Sequence, residues 1–134
     1  MTVRFFNTLS QSLEPFEPSD PHQARLLLAN PGRKERHHLA QARTSALFDV
    51  LSRHLGARGF DVVHAQRGGE EEGEIDLVFA SHDGGGGARG APVKLEVGAL
   101  VPEPAEAALP GLDEISARND PEALRWFLLG EHYR

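Results

Sequence analysis

The sequence predicts an α/β fold built on a small parallel sheet, and three observations carry that prediction. ARLLLAN, residues 24–30, is a short apolar run closed by Pro31 and Gly32, as a buried strand ending in a tight turn would be. From residue 39 the period changes: Leu39, Ala42, Ala46, Leu47, Val50, Leu51 and Leu55 recur at helical spacing. FDVVHA, residues 60–65, then returns to strand chemistry. Strand, helix and strand joined by short links make a right-handed βαβ unit with parallel strands.

The remaining elements follow along the chain. VRFFNTLSQSLEPF, residues 3–16, reads as two extended pieces around a turn near Ser10, Gln11 and Ser12. Pro15, Pro18 and Pro21 forbid helix, so EPFEPSDP is an extended lead-in. On the helix, Arg43, Asp49, Ser52 and Arg53 take the face away from the core, and Gly56 or Gly59 ends it. RGGEEEGE, residues 67–74, is a polar loop. EIDLVFA, residues 74–80, is a third strand with Ile75, Leu77 and Phe79 on one face and Asp76 and Val78 on the other. SHDGGGGARGAP, residues 81–92, has the composition of a linker. VKLEV, residues 93–97, alternates apolar and charged residues as an edge strand with one wet face would. VPEPAEAALPG, residues 101–111, is loop-like. Asp120 then caps a helix with Pro121 and Glu122 in its first turn, an apolar stripe of Leu124, Phe127 and Leu128, and a stop at Gly130. One domain accommodates all of this: a hairpin in residues 1–22, the βαβ unit in 23–66, further strands with the glycine-rich linker in 73–100, and C-terminal helices in 111–134.

Bulk composition narrows the function. The chain has 134 residues, 40% of them hydrophobic and 25% charged, with a net charge of −6. An acidic chain lacks the broad basic footprint of a dedicated nucleic-acid binder. RKERHHLAQART, residues 33–44, is nevertheless a local basic patch. There are no cysteines, so disulfides and thiolate metal sites are out of reach. The start of the chain has no secretory pattern and no apolar stretch is long enough to span a bilayer; a soluble, cytoplasmic protein with no membrane partner is expected.

Three stretches, in order, resemble the cysteinyl-tRNA synthetase family of class I aminoacyl-tRNA synthetases. Residues 4–21 and 42–66 are similar to its amino-terminal hairpin and first strand–helix–strand. GEIDLVFASHD, residues 73–83, is similar to the strand that runs into its His-His-Glu-Asn-Glu motif. NDPEALRWFLLGEHYR, residues 119–134, is similar to the segment that opens its stem-contact helices. The resemblance implies a Rossmann-like, HUP-type parallel sheet with an N-terminal hairpin and C-terminal helices. It also implies a nucleotide site. The His-Ile-Gly-His-type motif falls on HLAQ, residues 38–41, keeping His38 and replacing the glycine by Ala40. Gly73 and Asp76 match the ribose-binding strand, and Lys94 of KLEVG matches the first lysine of the Lys-Met-Ser-Lys-Ser loop, whose second lysine becomes Val97.

The departures fall on the chemistry. The family's first zinc cysteine aligns with Ala29, its zinc histidine with Ser81 and its zinc glutamate with Gly85. No zinc is expected, and cysteine specificity goes with it. Counterparts of the connective insert and the anticodon-binding end are missing, so tRNA is not expected as a partner. The reading is a synthetase-like protein impaired in catalysis, a paralogue or fragment. It carries no assigned catalytic residue, and ATP is bound weakly through His38, Gly73, Asp76 and Lys94. Against it stand bland readings: a solvated basic loop, an Asp76 that is simply exposed or paired with Arg43, and a Lys94 that only protects a sheet edge. Two other functions stay open. One is ATP-dependent amino-acid activation of the cysteine–tRNA ligase type. The other is a homodimer or protein partner docking through Trp126, Phe127, Leu128 and Leu129, four consecutive apolar residues of which a helix buries only one side. A metal held by His37, His38, His82, Asp83 and Asp76 follows no closed spacing, and nucleophilic catalysis lacks a Gly-x-Ser-x-Gly turn.

Overall fold

The computed structural model describes residues 2–29, 39–65, 74–81, 93–97 and 111–130. Two strands, β1 (Arg4–Asn7) and β2 (Ser12–Pro15), form an antiparallel hairpin with Arg4 opposite Pro15 and Asn7 opposite Ser12. Gln11 takes a left-handed φ of 56° in the turn, where its side-chain amide donates to Thr8 O at 2.7 Å. The Glu14 carboxylate lies below the usual glutamate pKa because Ser10, Asn7 and Ser12 hydrogen-bond to its charged form.

The main sheet holds β3 (Gln23–Ala29), β4 (Asp61–Ala65), β5 (Leu77–Ser81) and β6 (Val93–Val97). All its neighbours are parallel, in the order β4-β3-β5-β6. It is a Rossmann-like α/β architecture with the hairpin at its side and α1 (Leu39–Ala57), α2 (Leu112–Ser116) and α3 (Pro121–Gly130) around it. The expected face assignment holds: Leu77 and Phe79 join the core with Ala24, Leu26, Val93 and Val97, whereas Val78 faces the other way. No helix among the described residues is long and apolar enough to cross a membrane.

Helix α1 covers the core face. Leu47, Phe48 and Leu55 are buried on it, and the Phe48 ring sits 5.0 Å from His64 and 5.8 Å from Phe79. The sequence places Arg43 and Ser52 outward and Val50 inward; the structure reverses this. Arg43 and Ser52 are 6% and 9% exposed, and Val50 is 40% exposed. The buried stripe runs through residues 43 and 44, 47 and 48, 51 and 52, and 55, the i, i+4 rows of one helical face. Ser52 fits inside because its hydroxyl donates to Phe48 O at 2.9 Å. With that proton committed, His64 Nε2 is the donor in its 3.0 Å contact with Ser52 Oγ.

Of the two candidate stops for α1, Gly59 serves. It has φ 95°, its N–H bonds to Gly56 O at 3.0 Å and the Phe60 N–H to Leu55 O at 3.2 Å. These are the paired bonds of a Schellman motif, which needs a left-handed residue at that position. The turn delivers the chain to Asp61, beside Gln23 at the amino end of β3. Helix α1 therefore runs antiparallel to the strands, and its own amino end lies toward their carboxyl ends.

Helix α3 begins where expected: Asp120 Oδ1 accepts the Glu122 N–H at 2.8 Å. It packs against α1, with Arg125 Nη2 3.3 Å from Asp49 Oδ2. Its inward side is Leu124, Arg125, Leu128 and Leu129. Phe127, expected on the apolar stripe, is instead 50% exposed, because the stripe turns toward α1 by one residue.

β6 ends the sheet, and its open edge is closed by side chains of the hairpin. Thr8 Oγ1 donates to Lys94 O at 2.6 Å and accepts the Glu96 N–H at 3.2 Å. Thr8 N donates to the same carbonyl at 2.9 Å. Asn7 Oδ1 accepts the Lys94 N–H at 3.1 Å. One threonine thus does the work of a strand residue, satisfying edge groups that would otherwise pair with another chain. Thr8→Val removes both hydroxyl bonds, taking the hydroxyl partner from the Glu96 N–H and leaving Lys94 O with the Thr8 N–H. It is expected to lower the unfolding free energy by about 1–2 kcal/mol. Urea denaturation would show this as a lower midpoint with an unchanged slope.

Candidate functional site

Ligands of open parallel sheets bind beyond the carboxyl ends of the strands, at the place where strand order reverses. Here the chain leaves β3 for β4 on one side and later returns to β5 on the other, so the switch point lies between β3 and β5. The strands end there on small residues: Ala29 on β3, Ala65 on β4, and Ala80 followed by Ser81 on β5. Small side chains leave the strand ends open to a ligand. The amino end of α1 lies on the same side, and a helix amino end presents unpaired N–H groups and a partial positive charge. Ala40, at the family's glycine, is the second residue of α1.

His38 and Gly73, two of the four residues singled out for the nucleotide, lie outside the described residues, as do Arg33, Lys34, Arg36 and Gly85. The other two, Asp76 and Lys94, are not at the switch point. Asp76 precedes β5 and Lys94 is the second residue of β6, so both stand at the amino edge of the sheet. From Arg25 beside Asp76 to Ala29 is four residues of strand, about 13 Å.

Asp76 is 2% exposed and its carboxylate is fully used. Oδ1 accepts the Ser19 N–H at 2.7 Å, and Oδ2 accepts the Arg25 N–H at 2.8 Å. Its own N–H donates to Arg25 O at 3.0 Å. Asp76 thus ties the lead-in, β3 and the start of β5 together. Its partners are these amides rather than the Arg43 guanidinium. The cleft beside it, about 210 Å³, is lined by Ser19, Asp20, Gln23, Arg25, Glu74 and Asp76. Three carboxylates against one guanidinium repel a polyphosphate. Lys94 Nζ is paired with Glu96 Oε1, while the Lys94 backbone holds the hairpin. Among the described residues, Asp76 and Lys94 thus stand at the edge of the sheet opposite to the one where α1 begins.

Ala29 pairs with Ala80 across the β3–β5 ladder, so Ala29 and Ser81 end adjacent strands. Alanine has no donor, and zinc sites are built from thiolate, imidazole and carboxylate. These residues do not fit the metal.

What the sequence reading missed is the clamp formed by Asn7 and Thr8 and the latch formed by Asp76. No periodicity marks either. The one available signal was a buried-strand pattern interrupted by a carboxylate, which needs several N–H partners to stay there.

No family model matches the chain. Sequence comparison finds similarity to cysteine–tRNA ligases. That of Metallosphaera sedula is 34% identical over 64 residues, which is 48% of this chain and 14% of the relative. That of Aeropyrum pernix is 38% identical over 64 residues, with the same coverage of 48% and 14%. That of Gloeothece citriformis is 38% identical over 66 residues, 49% of this chain and 14% of the relative. The match thus spans about 14% of the length of these curated relatives. The chain is thus similar to cysteine–tRNA ligases over about half of its own length, and the sheet behind that match is parallel and Rossmann-like.

Proposed function

We propose that this chain binds adenine nucleotides weakly at the carboxyl edge of its sheet and does not complete the reaction its relatives are named for. The observation that supports the reading is that the α1 amino end lies toward the carboxyl ends of the strands, where β3 ends in Ala29, β4 in Ala65 and β5 in Ser81. The sequence just ahead of α1 adds Arg33, Lys34, Arg36 and His38. Cations beside free helix N–H groups suit a polyphosphate. Ala29 and Ser81, standing where zinc ligands would, remove the means of holding a thiolate substrate. In this reading Asp76 and Lys94 belong to the scaffold.

Isothermal titration with ATP tests it. The expected affinity is on the order of a millimolar, about −4 kcal/mol. His38→Ala should weaken it severalfold, and serine at residues 33, 34 and 36 together should abolish it. Lys94→Ala should leave it within about twofold, since that lysine is occupied by Glu96. No heat at millimolar ATP would sink the proposal. ATP–pyrophosphate exchange addresses amino-acid activation separately: no signal above a His38→Ala control is expected, and a His38-dependent signal would make the chain an adenylate-forming enzyme.

A further inference from the structure

A second surface lies away from the sheet edge, between α2 and α3. Ile115, Asn119, Ala123, Leu124 and Phe127 line a cleft of about 380 Å³ there. Phe127 lines it while remaining 50% exposed, and Trp126, one step of about 100° round the helix, is 75% exposed. An exposed aromatic pair next to an apolar cleft is a costly thing to leave in water, and aromatic residues of this kind are where binding energy concentrates.

The lining itself carries no charge, so the exposed charges of α2, α3 and the turn between them decide what fits it. Glu114 precedes Ile115, Asp120 follows Asn119 and Glu122 precedes Ala123. With Asp113, residues 111–130 hold four carboxylates against Arg118 and Arg125. Arg125 is already turned to Asp49. A second copy of the chain docking through the same surface would bring carboxylates against carboxylates. RNA would bring phosphates against them. A basic helix with one apolar face meets both features at once: apolar side chains enter the cleft and flanking lysines or arginines meet its rim. We propose that the α2–α3 cleft docks a basic amphipathic helix of a partner protein, independently of any nucleotide at the sheet edge.

Trp126 is the single tryptophan of the chain and reports directly on the surface. The probe is a helical Leu/Lys peptide of about four turns, with a Leu/Glu peptide of the same pattern as its counterpart. The expected result is a saturable blue shift of Trp126 emission with Leu/Lys and none with Leu/Glu. Phe127→Ser should weaken binding by about tenfold or more. Ala123→Arg, which sets a cation at the cleft without removing any packing, should abolish it with the circular dichroism unchanged. Asp61→Lys, an exposed charge at the start of β4, should have no effect. Five results would overturn the proposal, four of them within the peptide experiment and its controls. They are equal binding of both peptides, Leu/Lys binding indifferent to Phe127→Ser and Ala123→Arg, a free protein whose Trp126 already emits as a buried indole, and a dimer that Phe127→Ser dissociates. A blue shift induced by an RNA duplex instead of the peptide would overturn it too.

Discussion

Asp76→Ala is expected to lower the unfolding free energy by about 3 kcal/mol, although this residue is a family-matched ligand candidate. The reason is what its carboxylate holds. The Ser19 and Arg25 amides donate to it at 2.7 and 2.8 Å in a place where the side chain is 2% exposed. Hydrogen bonds to a charged acceptor contribute about 1.5–3 kcal/mol each, and their loss leaves buried donors unpaired. Release of the carboxylate's own desolvation cost offsets part of that. Asp76→Asn should do little better, because its amide presents one oxygen and one NH₂ to two N–H groups. Denaturation gives the magnitude, and ATP titration of the still-folded fraction separates the roles. A scaffold residue leaves the affinity per folded molecule unchanged; a ribose ligand loses it.

Phe48→Ala should cost about 3–5 kcal/mol, the range for emptying a large aromatic site in a core. Phe48 is 6% exposed and stands between α1, β4 and β5, with His64 at 5.0 Å and Phe79 at 5.8 Å. Its carbonyl also receives the Ser52 hydroxyl that His64 contacts. Removing the ring therefore loosens the helix from two strands at once. Phe48→Leu, which keeps much of the volume, should cost about 1–1.5 kcal/mol. Thermal melting would rank the two variants. Because α1 carries its amino end to the switch point, Phe48→Ala should also weaken any ATP affinity, whereas Thr8→Val, at the far edge of the sheet, should not.

Much of the fold could be read from the sequence because it is written in period and punctuation. Residues 93–97 alternate and form β6 with those bounds; Asp120 caps α3; the helix after residue 39 spans to Ala57. Face assignment on α1 failed where it relied on polarity alone. Arg43 and Thr44 occupy the buried stripe, and Val50 does not, because the stripe follows helical geometry and tolerates polar groups that find partners. The site was less legible still. Family matching named Asp76 and Lys94 as residues, but which end of a strand a residue occupies depends on where the strand begins. β5 begins at Leu77 rather than Glu74, so Asp76 moves from inside the strand to its entrance. Alignment carries residue type across proteins; it does not carry the bonding that surrounds the residue.

The Thr8 clamp also sets an order of events. Its hydroxyl reaches a carbonyl 86 positions further along the chain. The hairpin can close on its own within microseconds, being a local structure. Its docking must wait until the strand at residues 93–97 has been synthesised and laid against β5, since no earlier segment offers those backbone groups. Closing so long a loop is entropically expensive and is rewarded only by contacts already in place. The hairpin, made before the sheet strands, is thus among the last elements to reach its seat, and the sheet spends that interval with a bare edge, the period in which a nascent chain is most exposed to pairing with its neighbours.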